Sequence, residues 1–317
     1  MPDHDPSSVP VGIGDDAAIL LPSSGKALVA STDSLIPDRH FSSDWSPAAI
    51  GHLALAVNLS DLAAMGARPR WGLLSLTLPD ADTVWLDGFL DGFIALAVEH
   101  DLVLVGGNLA RGPLNIGVQV LGDVDVDDVR RSVGGVLRST ARLDDVIAVT
   151  GTLGDAAAAF TLKEQATQAL HQRWQRPTPR VAAGQILADF AHSMMDISDG
   201  LLADLTKLLQ ASQRGAVLDL ARLPSSEALR ACVTNPQQRR RLQAEGGSDY
   251  ELLLTLGADR VADAQAELGA IGETLTVIGH VSDGGILSFE DDTVYNNDGE
   301  HFDPEDLKRN GWDHFQL

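Results

Sequence analysis

The chain is organised around the stretch Asn58-Leu-Ser-Asp-Leu-Ala-Ala-Met-Gly-Ala67. The ten residues before it carry apolar side chains at helical spacing, which predicts a helix that continues into the stretch. Asp61 therefore lies in a segment that is otherwise suited to burial. A buried carboxylate without a partner is strongly unfavourable, so Asp61 is expected to be hydrogen-bonded, for example as a helix cap, to pair with a cation or to bind a metal ion.

Three further segments set acidic residues beside small or hydroxyl-bearing residues. They are Gly12–Ala18, Ser31–Ser34 and Asp196–Gly200. Hard oxygen ligands of this kind suit Mg²⁺. Taken singly, a Gly-Asp-Asp sequence is more typical of a surface turn, and two carboxylates at a helix start more often cap the helix. Together with Asp61, the segments indicate one divalent-metal site.

Composition limits the classes of protein to consider. The 317 residues are enough for two domains, and no apolar run is long enough to span a membrane. The first residues lack the features of a secretion signal, and the single cysteine, Cys232, excludes an internal disulfide. A formal charge of −22 argues against nucleic acid or an anionic membrane as a partner. We therefore expect a soluble, cytoplasmic protein.

Helical and strand patterns are mixed in both halves of the chain. This predicts an α/β or α+β fold with two mixed-sheet domains, at residues 11–130 and 136–317. A charged stretch at 123–131 is expected to end the first domain. The expected elements include strands at 26–32, 102–105, 146–150 and 251–256 and helices at 82–100, 181–191 and 198–211.

Three places are candidates for contact with the phosphate-bearing ligand. Gly106-Gly107-Asn108 is expected to follow the end of a strand, where backbone N–H groups can approach a phosphate. It matches neither the Walker pattern nor the dinucleotide fingerprint. Arg138 could clamp a phosphate or simply lie exposed, and His40 could touch the ligand held by Ser31–Ser34 or serve a structural role.

Seven segments, in order and over most of the chain, resemble one family. They are Gly12–Ala18, Ser31–Phe41, Asn58–Pro69, Val149–Ala158, Met195–Asp204, Gly246–Leu253 and the ending Gly311-Trp-Asp-His-Phe315. The pattern is similar to that of the thiamine-monophosphate kinases, which belong to the aminoimidazole ribonucleotide synthetase superfamily of ATP-using proteins. The ending separates this family from its superfamily relatives.

The resemblance implies ATP-dependent phosphorylation of thiamine monophosphate with several Mg²⁺ ions, in a homodimer that pairs through its N-terminal sheets. The acceptor is a phosphate oxygen that is already ionised at neutral pH, so no general base is expected and the metal cluster carries the transfer. Carried over by motif position, the metal ligands are Asp16, Ser31, Thr32, Asp33, Asp61, Asn108, Asp196 and Asp199; the ATP contacts are Gly107, Asn108, Arg138 and Ser198; and the substrate contacts are His40, Ser248 and Trp312.

This chain departs from the family pattern at three places. Asn108 stands where the family usually has Asp, and Ser248 stands where it usually has Glu. A family-typical segment containing Gly-Glu-Phe is absent before Val11. Two alternatives therefore stay open: a thiamine phosphate or nucleotide-binding paralogue that has lost turnover, and a superfamily synthetase with another substrate. The ending opposes the second.

Overall fold

The computed structural model describes residues 7–126, 134–284 and 287–289. The chain forms two compact units, Met1–Gly135 and Val136–Leu317. Each unit combines helices with a sheet that contains both parallel and antiparallel strand pairs, which confirms the predicted α+β class.

The first unit contains a four-stranded sheet in the order β1-β4-β2-β3. Strands β1 and β2 are antiparallel to β4, whereas β2 and β3 are parallel. One face of this sheet packs against α1, and the other packs against Val9 and the partly buried Ala18 and Leu20 of the N-terminal segment. The elements are β1 (Lys26–Leu35), α1 (Pro47–Ala64), β2 (Arg68–Leu78), α2 (Thr83–Glu99), β3 (Val103–Arg111) and β4 (Asn115–Asp125).

Helix α1 is the core helix of the first unit and carries Asp61, as predicted. It begins at Pro47, and the Ser46 hydroxyl accepts a hydrogen bond from the Ala49 N–H at 3.2 Å. The helix is long and apolar enough to cross a membrane by length and composition, but 78% of its apolar window is buried inside the protein. A helix that is apolar on all sides is typical of a buried position. Asp61 is therefore a partly buried carboxylate on a core helix.

Helices α1 and α2 approach each other closely at two glycines. A Cβ atom on Gly92 would lie 1.9 Å from the Ala48 carbonyl oxygen, and one on Gly51 would lie 2.0 Å from the Phe89 carbonyl oxygen. No side chain fits at such distances, so glycine allows the two backbones to touch. This contact fixes α1, and with it Asp61, beneath the sheet.

The second unit contains a six-stranded sheet in the order β10-β7-β9-β5-β8-β6. Helix α6 packs its apolar side against this sheet, with Leu201, Leu205 and Leu208 in the same buried cluster as Ile147 and Ile278. The strands are β5 (Val146–Thr150), β6 (Ala191–Asp196), β7 (Gly215–Leu218), β8 (Leu252–Leu256), β9 (Leu275–Ser282) and β10 (Leu287–Phe289). The helices are α3 (Asp155–Leu162), α4 (Gln168–Gln175), α5 (Val181–Leu187), α6 (Leu201–Ser212), α7 (Glu227–Cys232), α8 (Pro236–Glu245) and α9 (Val261–Ala270).

Two of the predicted helix boundaries in this unit are wrong. The helix expected over 181–191 ends at Leu187, and Ala191 already begins β6, which was not predicted. Strand β6 has no β-branched residue, so local propensity does not reveal it. The helix expected over 198–211 begins only at Leu201, because Gly200 has a φ of +112°, outside the helical range.

A buried carboxylate, Glu251, joins several elements of the second unit. It is 0% exposed and lies immediately before β8. Its oxygens accept hydrogen bonds from Arg180 Nε at 2.7 Å and Nη2 at 2.6 Å, from Arg173 Nη2 at 2.8 Å and from Thr150 Oγ1 at 2.7 Å. Burial alone would raise the pKa of Glu251, but the two guanidinium groups outweigh it and the pKa lies below its ordinary value. Glu251 is therefore a charged, fully paired group in the core.

The turn after β5 packs directly on this carboxylate. Gly151 has a φ of +53°, and a Cβ atom there would lie 2.2 Å from a Glu251 carboxylate oxygen. Only glycine combines this backbone conformation with such a close approach. The ion pair therefore also determines the path of the turn that leads into α3.

We predict that Gly92→Ala lowers the free energy of unfolding by about 1–3 kcal/mol or more, because the added methyl group forces α1 and α2 apart. The matched control is Gly269→Ala in α9, where an added Cβ meets nothing within 4 Å. That control should raise stability by about 0.5–1 kcal/mol, since alanine favours a helix. Urea denaturation followed by tryptophan fluorescence measures both. An equal gain for the two variants would contradict the close approach.

We also predict that Glu251→Gln lowers the free energy of unfolding by about 3–5 kcal/mol at neutral pH, because buried guanidinium groups lose their charged partner. The folded-state pKa of Glu251 is below its ordinary 4.5. The stability that it contributes is therefore present above that pH and is lost as pH falls through the lower folded-state pKa. The difference between the variant and the parent protein should accordingly shrink on acidification below 4.5.

The control for this pH dependence is Asp283→Asn. Asp283 is 80% exposed and lies 3.9 Å from Arg214. An exposed pair of this kind should change stability by no more than about 0.5 kcal/mol. Denaturation at several pH values compares the three proteins, and a loss for Glu251→Gln as small as that of the control would refute the role of Glu251.

Candidate functional site

In the first unit, Ser31 and Asp61 are in direct contact. The Ser31 hydroxyl donates a hydrogen bond to Asp61 Oδ2, which links β1 to α1. Asp33 follows two residues later in β1 and pairs with the buried Val118 of β4. Because side chains alternate along a strand, Ser31 and Asp33 share the face of the sheet that packs against α1. The unit thus brings together three of the predicted oxygen ligands.

Thr32 lies on the opposite face. The strand that was expected to end at residue 32 runs on to Leu35, so Ser31, Thr32 and Asp33 are interior strand residues rather than a strand end. The Thr32 hydroxyl donates a hydrogen bond to the Val118 carbonyl oxygen at 3.0 Å. The continuous alternation therefore separates the Thr32 side chain from those of its two neighbours.

The prediction that Gly106-Gly107-Asn108 follows a strand end is wrong, because all three residues lie inside β3. The register shifts between Gly72 and Leu73 of β2, and the strand continues past this irregularity. A Cβ atom on Gly107 would lie 2.0 Å from the Leu74 carbonyl oxygen, so glycine is required for the pairing. The two glycines therefore maintain the strand instead of ending it.

The sheet register assigns Gly107 and Asn108 to different faces. Gly107 pairs with Leu74, which pairs with Val118, the partner of Asp33. Asn108 is the next residue along β3. It pairs with Ser75, which pairs with Gly117, the partner of Ser34. Asn108 is exposed on the face opposite Asp33.

The two remaining predicted residues of the first unit lie in loops. Asp16 is exposed, and its N–H donates to the neighbouring Asp15 carboxylate at 2.8 Å. His40 Nδ1 accepts a hydrogen bond from the Ile36 N–H at 3.0 Å, so the neutral imidazole carries its proton on Nε2. The buried Phe41 anchors this loop beside His40.

In the second unit, the predicted residues after β6 are held by a residue that the sequence analysis missed. Asp196 ends β6 and is buried, and Ser198 and Asp199 follow in the loop. Asp204 Oδ2 accepts hydrogen bonds from the backbone N–H groups of Ser198 and Asp199, both at 2.9 Å. Burial raises the pKa of Asp204 above its ordinary value. A carboxylate on the first turn of α6 thus closes the loop that precedes the helix.

Lys207 was also missed and pairs with both carboxylates. Its Nζ lies 2.5 Å from Asp199 Oδ2 and 2.8 Å from Asp204 Oδ1. Burial lowers the pKa of Lys207, but the hydrogen bonds to Asp199 and Asp204 outweigh it and the pKa lies above its ordinary value. The spacing of Asp204 and Lys207 within a predicted helix is the one signal in the sequence that indicates this pair.

The segment 246–251 runs beside this loop and places Ser248 next to Ser198. The Ser248 N–H donates to the Ser198 carbonyl oxygen at 2.8 Å, and the Tyr250 N–H donates to the Ile197 carbonyl oxygen at 2.9 Å. Ser248 and Tyr250 have φ values of +66° and +52°, in the left-handed region that side chains disfavour. The backbone pairing holds both residues there.

Asp249, between them, connects the same segment to the turn before α3. Its two carboxylate oxygens both accept from the Gly154 N–H at 3.0 Å. Burial raises the pKa of Asp249 well above its ordinary value. One short segment therefore organises the loop after β6 and the turn after β5.

Arg138 lies at the other end of α6 from Ser198. It begins a 3₁₀ turn, Arg138–Thr140, and its carbonyl oxygen accepts from the hydroxyl of Ser212, the last residue of α6. Twelve helical residues, about 18 Å, separate that end from the loop with Ser198. The second unit therefore does not bring Arg138 and Ser198 together. Trp312 lies outside the described residues.

The donor chemistry fits Mg²⁺ in both units. Each unit offers carboxylate oxygens, Asp33 and Asp61 in the first and Asp196 and Asp199 in the second, and the Lys207 ammonium is already a cation held at Asp199. Among the described residues, no three His, Cys, Asp or Glu side chains converge so that they could hold an ion by themselves. Mg²⁺ is usually bound through one or two carboxylates together with substrate phosphates and water. The side chains present meet that requirement.

Comparison with known proteins identifies the family. The AIR synthase related protein, N-terminal domain, family model matches residues 14–124, and the C-terminal domain model matches residues 142–292. Thiamine-monophosphate kinase of Escherichia coli (strain K12) is 40% identical over 315 residues, which cover 97% of this chain and 92% of the relative.

Two solved structures extend the likeness to the fold. Thiamine-monophosphate kinase from Stenotrophomonas maltophilia K279a is 42% identical with a TM-score of 0.83, covering 89% of this chain and 91% of that one. AaThiL complexed with AMPPCP and TMP is 32% identical with a TM-score of 0.77, covering 96% and 92%. The chain belongs to the thiamine-monophosphate kinase family of AIR synthase related proteins.

Proposed function

We propose that this chain transfers the terminal phosphoryl group of ATP to a phosphate oxygen of thiamine monophosphate, giving ADP and thiamine diphosphate. The observation that carries the proposal is the 40% identity to the Escherichia coli kinase over 97% of the chain. The related AaThiL was solved with AMPPCP, an ATP analogue, and TMP, which together represent the two substrates of this reaction.

We assign Mg²⁺ to this reaction. Both substrates are anionic and the chain carries a formal charge of −22, so cations are needed between them. Asp33 and Asp61 of the first unit and Asp196 and Asp199 of the second are the carboxylates that would hold Mg²⁺. The bound ions would neutralise the charge of the two phosphates that must approach each other.

The protein's own groups position the substrates. No general base is required, because the accepting phosphate oxygen is already ionised at neutral pH. Ser31 orients Asp61 through its hydrogen bond, and the backbone pairing of Ser198 with Ser248 orders the loop after β6. We assign His40, Ser248 and Trp312 to thiamine monophosphate, and Gly107 and Ser198 to ATP. These assignments, like the family roles of Asp16, Thr32, Asn108 and Arg138, rest on motif position.

The Ser248 departure from the family pattern leaves the loop after β6 intact. Ser248 replaces the usual Glu of the family, but its contact with Ser198 runs through its backbone N–H, which the substitution leaves intact. The Ser248 side chain, which differs from the usual Glu, therefore does not organise the loop after β6. We further propose a cytoplasmic location, which the single cysteine fits, and a homodimer, which the family resemblance implies.

We predict that Asp61→Asn reduces kcat at least about a hundredfold, since even indirect partners of a metal site change activity by about 10–100-fold. The fold should persist, because the amide still accepts the hydrogen bond from Ser31. The assay combines the purified protein, ATP, Mg²⁺ and thiamine monophosphate, with chromatographic detection of thiamine diphosphate. Asp87→Asn, at an exposed position of α2, is the matched control and should retain activity.

Absence of thiamine diphosphate with the parent protein at any Mg²⁺ concentration would reject the kinase. Parental activity in Asp61→Asn at saturating Mg²⁺ would leave the kinase standing but would remove Asp61 from the metal site. Circular dichroism of each variant separates loss of catalysis from loss of fold.

We predict that Trp312→Leu weakens the binding of thiamine monophosphate about three- to tenfold, because a ring stack contributes about 0.5–1.5 kcal/mol. Binding of AMPPCP should change little. Isothermal titration measures both ligands, and Trp85→Phe, which preserves the stack with Phe89 in α2, is the control. Equal losses for the two ligands would argue against a substrate-side role of Trp312.

A further inference from the structure

Lys207 connects α6 to the loop that carries Asp199. Its ammonium lies between two carboxylates, 2.5 Å from Asp199 Oδ2 and 2.8 Å from Asp204 Oδ1. The Asp204 side chain is 1% exposed and its other oxygen already accepts from two backbone N–H groups. The Asp199 side chain is 27% exposed, so it is the solvent-facing partner of the ammonium.

This pairing places a cation at an oxygen that the proposed function gives to Mg²⁺. An oxygen that accepts a hydrogen bond from an ammonium group has one electron pair fewer to offer a metal ion. A second cation at the same carboxylate is also repelled by the first, although solvent screens this repulsion because Lys207 is 44% exposed. Both effects weaken metal binding at Asp199.

The contact with Asp204 explains why the two cations can exchange. When the ammonium leaves Asp199, it still has Asp204, a buried carboxylate that is fixed by the N–H groups of Ser198 and Asp199. Lys207 therefore does not become unpaired, and the loop keeps its shape. A lysine suits this role because its flexible stem can move the charge by a short distance.

We propose that Lys207 is a resident counter-cation that competes with the divalent metal for Asp199 and so sets the metal concentration that the enzyme requires. The proposal rests on the proposed function, since it takes Asp199 as a metal ligand. In the metal-free protein the ammonium neutralises Asp199. When the metal binds, the ammonium moves off Asp199 and stays with Asp204. The metal ion then neutralises Asp199 in place of the ammonium.

The test measures binding of Mn²⁺ alone to the full chain, without nucleotide, from the electron paramagnetic resonance signal of the free ion. Lys207→Met keeps the length of the side chain and removes the charge. It should tighten Mn²⁺ binding about tenfold, because the variant removes the solvent-screened repulsion between the ammonium group and the metal ion. Lys207→Arg keeps a positive charge and should remain close to the parent protein.

Asp199→Asn and the double variant Lys207→Met with Asp199→Asn complete the comparison. Asp199→Asn should weaken Mn²⁺ binding, and in the double variant the gain from Lys207→Met should disappear. A parallel Mg²⁺ titration of the initial rate should show a lower requirement for Lys207→Met. Thermal unfolding of each variant confirms that the loop and α6 remain folded.

The outcomes separate this inference from the proposed function. If Asp199→Asn weakens Mn²⁺ binding but Lys207→Met leaves it unchanged or weaker, the metal site stands and the competition is refuted. If Asp199→Asn changes neither Mn²⁺ binding nor the Mg²⁺ requirement of the initial rate, Asp199 is not a metal ligand and the metal assignment itself fails at this residue. Tightening in Lys207→Met that persists in the double variant also refutes the inference, because the gain then does not act through Asp199.

Discussion

The buried ion pair between Glu251 and Arg180 is the interaction on which the second unit's candidate site depends. A fully buried carboxylate is stable only when its charge is paired and its oxygens are hydrogen-bonded, and two arginines and a threonine meet that demand. The Glu251 carbonyl oxygen accepts from the Ile197 N–H at 2.8 Å. The charged side chain of Glu251 therefore holds this residue in the core, and its backbone carbonyl holds the loop that carries Ser198 and Asp199.

The first unit follows the same principle with fewer groups. Asp61 lies in an otherwise apolar helix and accepts a hydrogen bond from the Ser31 hydroxyl. Ser31 belongs to the strand that packs on this helix. This part of the site could be predicted from the sequence, because one carboxylate in an apolar helical pattern demands a partner. Strand β5 was also predicted correctly, since a short apolar run followed by Gly151 to Gly154 is a strong local signal.

Features set by distant pairing could not be predicted in this way. Gly106 to Asn108 were expected to end a strand, yet β2 supplies partners for them across a bulge, and no local signal reveals this. Strand β6 pairs with the distant β8, and Asp249 accepts a hydrogen bond from the distant Gly154. Asp204 accepts a hydrogen bond from the loop that folds back on its own helix. The separation of Thr32 from Ser31 and Asp33 is different, because alternation along a strand predicts it once the strand is known to continue.

In the second unit, the charges around the loop after β6 and the contacts that shape this loop come from different groups. Ser248 is neutral where the family pattern carries a carboxylate, and Lys207 places a cation at Asp199. Both features make the surroundings of this loop less negative. Fewer negative groups oppose the anionic substrates, but fewer also attract Mg²⁺. The contacts that organise this loop run through backbone N–H groups and the buried Asp204, so the shape of the loop does not depend on the side chain at position 248.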